Sequence, residues 1–137
     1  MVGQSFGLIR RMDNKGDKMK KIGQVKKVMD ISPDDVQAVL IGAFEGGSNY
    51  WLEKVRVKDK DYKGGEYASD VIGLGGELIL TTMEGENHIL TQAKMIDGFQ
   101  KYLDNGGMYF PFDSGQADGW TYDTILQNAL FGEQVYG

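Results

Sequence analysis

A chain of 137 residues, 41% hydrophobic and 26% charged, is long enough to bury one core and too apolar to be disordered. It contains no Cys and one His, which excludes disulfides, thiolate ligands and the usual zinc sites. The formal net charge of −5 is unevenly spread: residues 1–27 carry eight basic and two acidic side chains (+6), residues 28–63 five and seven (−2), and residues 64–137 two and eleven (−9).

No apolar run approaches the roughly 20 residues that span a bilayer, and the start lacks the apolar stretch of a signal peptide. No Asn is followed two residues later by Ser or Thr, so the usual glycosylation signal is missing. These features lead us to expect a cytoplasmic protein with no membrane partner.

In chain order, residues 1–18 show neither helical nor strand periodicity and contain Gly3, Gly7, Asn14, Gly16 and Asp17. They read as a mobile basic leader ahead of a single domain over 19–137. Met19-Lys20-Lys21 resembles an ordinary bacterial start, so one expectation is that the leader is an upstream extension or a remnant of cloning. The alternative is a basic arm that reaches nucleic acid or an acidic partner.

Ser32-Pro33-Asp34-Asp35 begins the first helix: Ser caps, Pro suits the first helical position, and acids favour the positive helix end. Val36, Val39, Leu40 and Ala43 set an apolar stripe, and Gly46-Gly47 supply the stop. From Tyr50 to Lys58 the period becomes two, with Trp51, Val55 and Val57 inward and a basic outer face of Lys54, Arg56 and Lys58. A polar loop follows over 59–66, then one helical turn expected over 69–73.

Residues 77–82 and 88–90 read as a hairpin joined at Glu84-Gly85. Thr91 caps a second helix to Asp104 whose apolar face is Met95, Ile96, Phe99, Tyr102 and Leu103. Gly98 weakens that helix by about 1 kcal/mol relative to Ala, so it is expected to permit a close crossing. Residues 108–112 are expected to form a strand or a packed loop. Thr121 or Asp123 is expected to cap the last helix, with Ile125, Leu126, Ala129 and Leu130 on its apolar stripe and Gly132 ending it. The predicted fold is α+β: a small antiparallel or mixed sheet of about three to four strands packed with about three helices.

Reaction chemistry finds little support. His88 is the lone candidate general base and sits beside a hairpin turn, where a surface or edge role is the ordinary one. Asp113, Asp118 and Asp123 do not match a calcium loop, because Gly115 and Ala117 take ligand positions and Asp118 stands where the template wants Gly. Gly73-Leu74-Gly75-Gly76 runs into a strand, not a helix, and lacks the third Gly of a dinucleotide loop. We therefore expect no metal, no cofactor and no enzymatic activity.

The densest local cluster is Glu45-Gly46-Gly47-Ser48-Asn49-Tyr50-Trp51, where glycines open the backbone, Asn49 both donates and accepts, and Tyr50 and Trp51 offer broad amphipathic faces. The plain reading is a helix end followed by a core Trp. The functional reading is a ligand or partner site at Glu45, Asn49, Tyr50 and Trp51, joined by Lys63, Glu66 and Tyr67 along residues 62–67.

The runs Ala43-Phe44-Glu45-Gly46-Gly47-Ser48-Asn49-Tyr50-Trp51, Tyr67-Ala68-Ser69-Asp70, Gly75-Gly76-Glu77-Leu78 and Ile125-Leu126-Gln127-Asn128-Ala129-Leu130-Phe131-Gly132-Glu133 resemble a group of small uncharacterised proteins of phages and prophages of Gram-positive bacteria. The likeness covers residues 19–137. It implies a genomic context and no activity: an interaction protein whose partner is a host protein, with counter-defence as one role and imitation of a nucleic-acid backbone by the acidic body as one mechanism. Two alternatives stand beside it. One is a small-molecule binder or enzyme using the Gly-Gly-Ser-Asn-Tyr-Trp segment. The other is nucleic-acid binding through Lys54, Arg56 and Lys58, aided by Lys20, Lys21, Lys26 and Lys27.

Overall fold

The computed structural model of the chain describes residues 21–25, 28–108, 112 and 117–137. They fall into two units, Met1–Asp30 and Ile31–Gly137. In the first unit the described residues, 21–25 and 28–30, form neither helix nor strand; the expected leader at 1–18 lies outside the described residues.

The second unit is α+β, as its periodicities predict. Its described elements are α1 (Pro33–Gly42), a π-helical turn (Ala43–Gly47), β1 (Leu52–Val57), a 3-10 turn (Lys58–Lys60), α2 (Ala68–Val71), β2 (Leu78–Thr82), β3 (Asn87–Leu90), α3 (Gln92–Asp104) and α4 (Gly119–Phe131). The sheet is antiparallel in the order β1-β2-β3.

α1 starts as its sequence dictates. The Ser32 hydroxyl accepts from the Asp35 amide at 3.2 Å while the Asp35 carboxylate accepts from the Ser32 amide at 2.9 Å, a reciprocal cap for two otherwise orphaned donors. Val36, Val39, Leu40 and Ala43 are all buried. The expected stop at Gly46-Gly47 is replaced by a wider turn, in which the Ser48 amide donates to the Ala43 carbonyl at 2.9 Å. That turn carries Gly47 against α4: a Cβ on Gly47 would lie 2.4 Å from the Gly119 carbonyl oxygen.

β1 is shorter than the 50–58 expected. Its register against β2 shifts between Leu52 and Lys54, so Leu52 joins Val55 and Val57 in the row facing Leu78, Leu80 and Thr82. Trp51 therefore precedes the strand, in the turn that leads into it, and does not belong to its inward row. Lys54 and Arg56 do point to the opposite, exposed face.

α3 begins at Thr91, whose hydroxyl accepts from the Lys94 amide at 3.2 Å. Met95, Phe99 and Tyr102 are buried as predicted, while Ile96 is 45% exposed and does not belong to the packed face. Gly98 makes the close crossing expected of it, because a Cβ there would stand 2.7 Å from the Ala129 Cβ and 2.7 Å from the Ile125 carbonyl oxygen on α4. α4 starts earlier than predicted: Asp118 is its cap, accepting from the Thr121 amide at 3.0 Å. Thr121 and Asp123 are buried within the helix. Gly132, at φ 80°, closes it in the left-handed conformation that Gly tolerates. Of the segment 108–112, Met108 is exposed and Phe112 is buried; 109–111 lie outside the described residues.

Candidate functional site

A buried carboxylate organises the region that sequence reading singled out. Asp123, on α4 and 2% exposed, accepts from four donors: the Ser48 hydroxyl at 2.8 Å and the Trp51 indole Nε1 at 2.7 Å on Oδ1, and the Tyr50 hydroxyl at 2.6 Å and Gln127 Nε2 at 3.0 Å on Oδ2. One side chain thus holds the whole Ser48–Trp51 turn against α4. A carboxylate with both oxygens so occupied has had its lost hydration replaced.

Gln127, one helical turn further along α4, extends the network. Its Oε1 accepts from the Val135 and Tyr136 amides at 2.9 and 2.8 Å, so the segment after α4 is strapped back over the turn. There the Tyr136 ring stacks on Trp51, centroids 5.3 Å apart and planes 2° from parallel, and its hydroxyl donates to Glu84 at 2.8 Å. Trp51 also meets Phe131 at 5.3 Å. It is 1% exposed and is a core residue, so the plain reading of Trp51 is the correct one and it offers no face to a ligand.

Tyr50 differs. As a residue it is 54% exposed, yet its hydroxyl sits between Asp123 and Gln127. Burial of that end, then the hydrogen bond and the charge of Asp123, push its pKa up to about 12. The native state therefore holds the phenolic proton above the ordinary tyrosine range. The linked stability is fully present below pH 10 and is lost as pH rises through 12. Urea unfolding through this alkaline window is expected to show a stability decline that is smaller in Tyr50→Phe, where the raised pKa of Tyr136 remains; identical pH profiles for the two proteins would contradict the assignment.

Beside Tyr50 opens a cleft of about 770 Å³ between the π-helical turn and the first turn of α4. Its walls include Glu45, Gly46, Gly47, Tyr50, Trp120 and Tyr122. Trp120 is 68% exposed, a large indole lining the cleft from the first turn of α4. Two glycines on the other side are required by packing: a Cβ on Gly42 would fall 2.0 Å from the Tyr122 ring and one on Gly47 2.4 Å from the Gly119 carbonyl oxygen.

Of the predicted site residues, Glu45 and Tyr50 reach this cleft. Asn49 is exposed but does not line it. Lys63, Glu66 and Tyr67 do not line it either. The Glu66 and Tyr67 amides donate to Asp70 at 2.9 Å each, Asp70 also accepts from Gln37 on α1, and Lys63 pairs with Asp61 at 3.2 Å in a turn. The two halves of the predicted site are thus separate.

The basic strand face is reduced as well. Lys58 is tied to Glu77 at 3.0 Å, which leaves Lys54 and Arg56 exposed, the latter 3.5 Å from the Asn87 side-chain oxygen. Lys20, Lys26 and Lys27 lie outside the described residues, as does Asp113; Asp118 is a helix cap and Asp123 is the network hub. Among the described residues no group of three acidic or His side chains is arranged to hold a metal ion.

Sequence reading missed Trp120, Tyr122, Asp123, Gln127 and Tyr136. A signal existed for two of them: Asp123 and Gln127 stand four apart in a helix whose remaining pattern is apolar, the spacing at which polar side chains meet on one face. Comparison with family models, with curated proteins and with solved structures finds no match for this chain.

Proposed function

We propose that this chain is a non-enzymatic interaction protein that docks on a basic host protein through the cleft between Tyr50 and Trp120. The observation that carries the reading is the 68% exposure of Trp120 on the rim of that cleft. Trp and Tyr are the side chains most enriched among residues that dominate binding energy, because they bury large area at low entropic cost. Two of the polar groups beside the cleft are already engaged: Asp123 accepts four hydrogen bonds, and Tyr50 keeps its proton to about pH 12. Tyr50 therefore holds its proton at neutral pH.

A basic partner is favoured by the net −9 of residues 64–137, which attracts positive charge to the chain as a whole. The likeness to phage and prophage proteins supports a partner in the host cell. Among the described residues no helix is long and apolar enough to cross a membrane.

The test is calorimetric titration against purified basic nucleic-acid-binding proteins of a Gram-positive host, nucleases and restriction subunits included, at low and high salt. At least one is expected to bind, more weakly at high salt. Trp120→Ala is expected to raise its Kd by roughly 30-fold or more, the scale of a central aromatic contact. Absence of salt-sensitive binding across the panel removes the proposal.

A further inference from the structure

We infer that the cleft between the π-helical turn and α4 is an acceptor for one arginine side chain of the partner. This assignment rests on the docking reading above and specifies its chemistry. Three aromatic residues, Tyr50, Trp120 and Tyr122, line the space, and the charged side chains on its walls are both acidic, Glu45 and Asp123, with no Lys or Arg among them. Asp123 is occupied by its four donors, so Glu45, exposed on the turn, is the carboxylate left to pair with an incoming cation.

Helix ends favour the same sign. The cleft wall at Gly46 and Gly47 is the C-terminal end of the α1 and π-turn stack, the end that carries partial negative charge. The opposing positive end of α4 is already met by Asp118. A flat guanidinium suits such a place better than an ammonium, since it stacks on aromatic faces while its edge donates to a carboxylate in a fork. Arginine is also the side chain that basic nucleic-acid-binding proteins present in quantity.

Gly46 supplies a clean probe of the cleft. A Cβ there would meet nothing within 4 Å, and its φ is not in the positive range. Gly46→Arg therefore adds a guanidinium of the chain's own on the cleft wall with no conflict at its Cβ, and its thermal melt is expected to match that of the native protein.

The experiment follows the two indole N–H signals by NMR while a capped Gly-Gly-Arg-Gly-Gly peptide is added. Trp51 Nε1 is bonded to Asp123 at 2.7 Å and serves as the internal reference, whereas the exposed Trp120 reports on the cleft. The arginine peptide is expected to shift the Trp120 signal with saturation in roughly the millimolar range. The same peptide with neutral citrulline is expected to bind at least about fivefold more weakly, and Glu45→Gln to weaken the arginine peptide about threefold. Gly46→Arg is expected to lose the shift.

Equal binding of the arginine and citrulline peptides, or a Trp120 signal that does not move, overturns the assignment. The two proposals fail separately. A basic protein whose binding depends on Trp120 but is indifferent to Glu45→Gln and Gly46→Arg keeps the docking reading and sinks the arginine pocket. A saturable arginine-specific shift with no protein partner in the panel does the reverse.

Discussion

Asp123→Ala is expected to destabilise the unit Ile31–Gly137 by roughly 3–5 kcal/mol, the cost of breaking a buried hydrogen-bonded charge network from one side. The carboxylate is 2% exposed, and its removal leaves the Trp51 indole N–H and the Ser48 hydroxyl facing no acceptor, while Gln127 Nε2 keeps the Tyr50 hydroxyl and the Tyr136 carbonyl. Trp51 and Ser48 are themselves buried, so water cannot replace what is lost without opening the turn. At the size of this unit that loss corresponds to a Tm lower by roughly 10–20 °C. Asp123→Asn keeps one acceptor oxygen for Ser48 and Trp51 but turns an amide donor towards Gln127, so about half the loss is expected. Calorimetric melts of the three proteins decide the matter: a drop of less than about 1 kcal/mol for the Ala variant would show that the hub is not structural. Because the same residue positions Tyr50, the Ala variant is also expected to deform the adjoining cleft.

Gly98→Val is the second large effect, at roughly 3 kcal/mol of destabilisation. Helix propensity alone predicts the opposite sign, since replacing Gly within a helix by a better helix former gains up to about 1 kcal/mol. Packing overrules it here. A Cβ at position 98 would stand 2.7 Å from the Ile125 carbonyl oxygen and 2.8 Å from the Ala129 amide nitrogen. These are backbone atoms of α4, which can yield only if the two helices separate and the contacts of Phe99, Ile125 and Leu126 open with them. Gly46→Ala is the matched comparison, with nothing within 4 Å of its Cβ, and is expected to be neutral or slightly stabilising. Urea unfolding of the two variants beside the native protein tests the contrast, and equal stabilities would mean that the α3–α4 crossing does not depend on the glycine.

The reduced Lys54 and Arg56 surface bears on the competing nucleic-acid reading. With Lys58 spent on Glu77, two exposed cations remain on the sheet's outer face. Non-specific backbone binding scales with the number of phosphates neutralised, so Lys54 and Arg56 by themselves are a small footprint; Lys20, Lys26 and Lys27, which that reading also uses, lie outside the described residues.

Local chemistry was legible in the sequence. Ser32 and Thr91 cap α1 and α3, Gly85 turns the hairpin, Gly132 ends α4, and the apolar stripes of α1 and α4 are buried as their spacing requires. Each depends on residues within about a turn of one another, and short-range sterics and hydrogen bonding determine such features wherever the segment is placed. What only the tertiary structure decided lies between residues far apart in the chain. Asp123 is a partner of Ser48, Tyr50 and Trp51 across more than seventy positions, and that pairing makes Trp51 core and leaves Tyr50 half outside. Trp120 enters the cleft because Gly47 and Gly119 let two backbones meet, and Glu66 and Tyr67 leave it because Asp70 holds them to α1. A sequence states which side chains can bond; the packing of helices against one another selects which of them do.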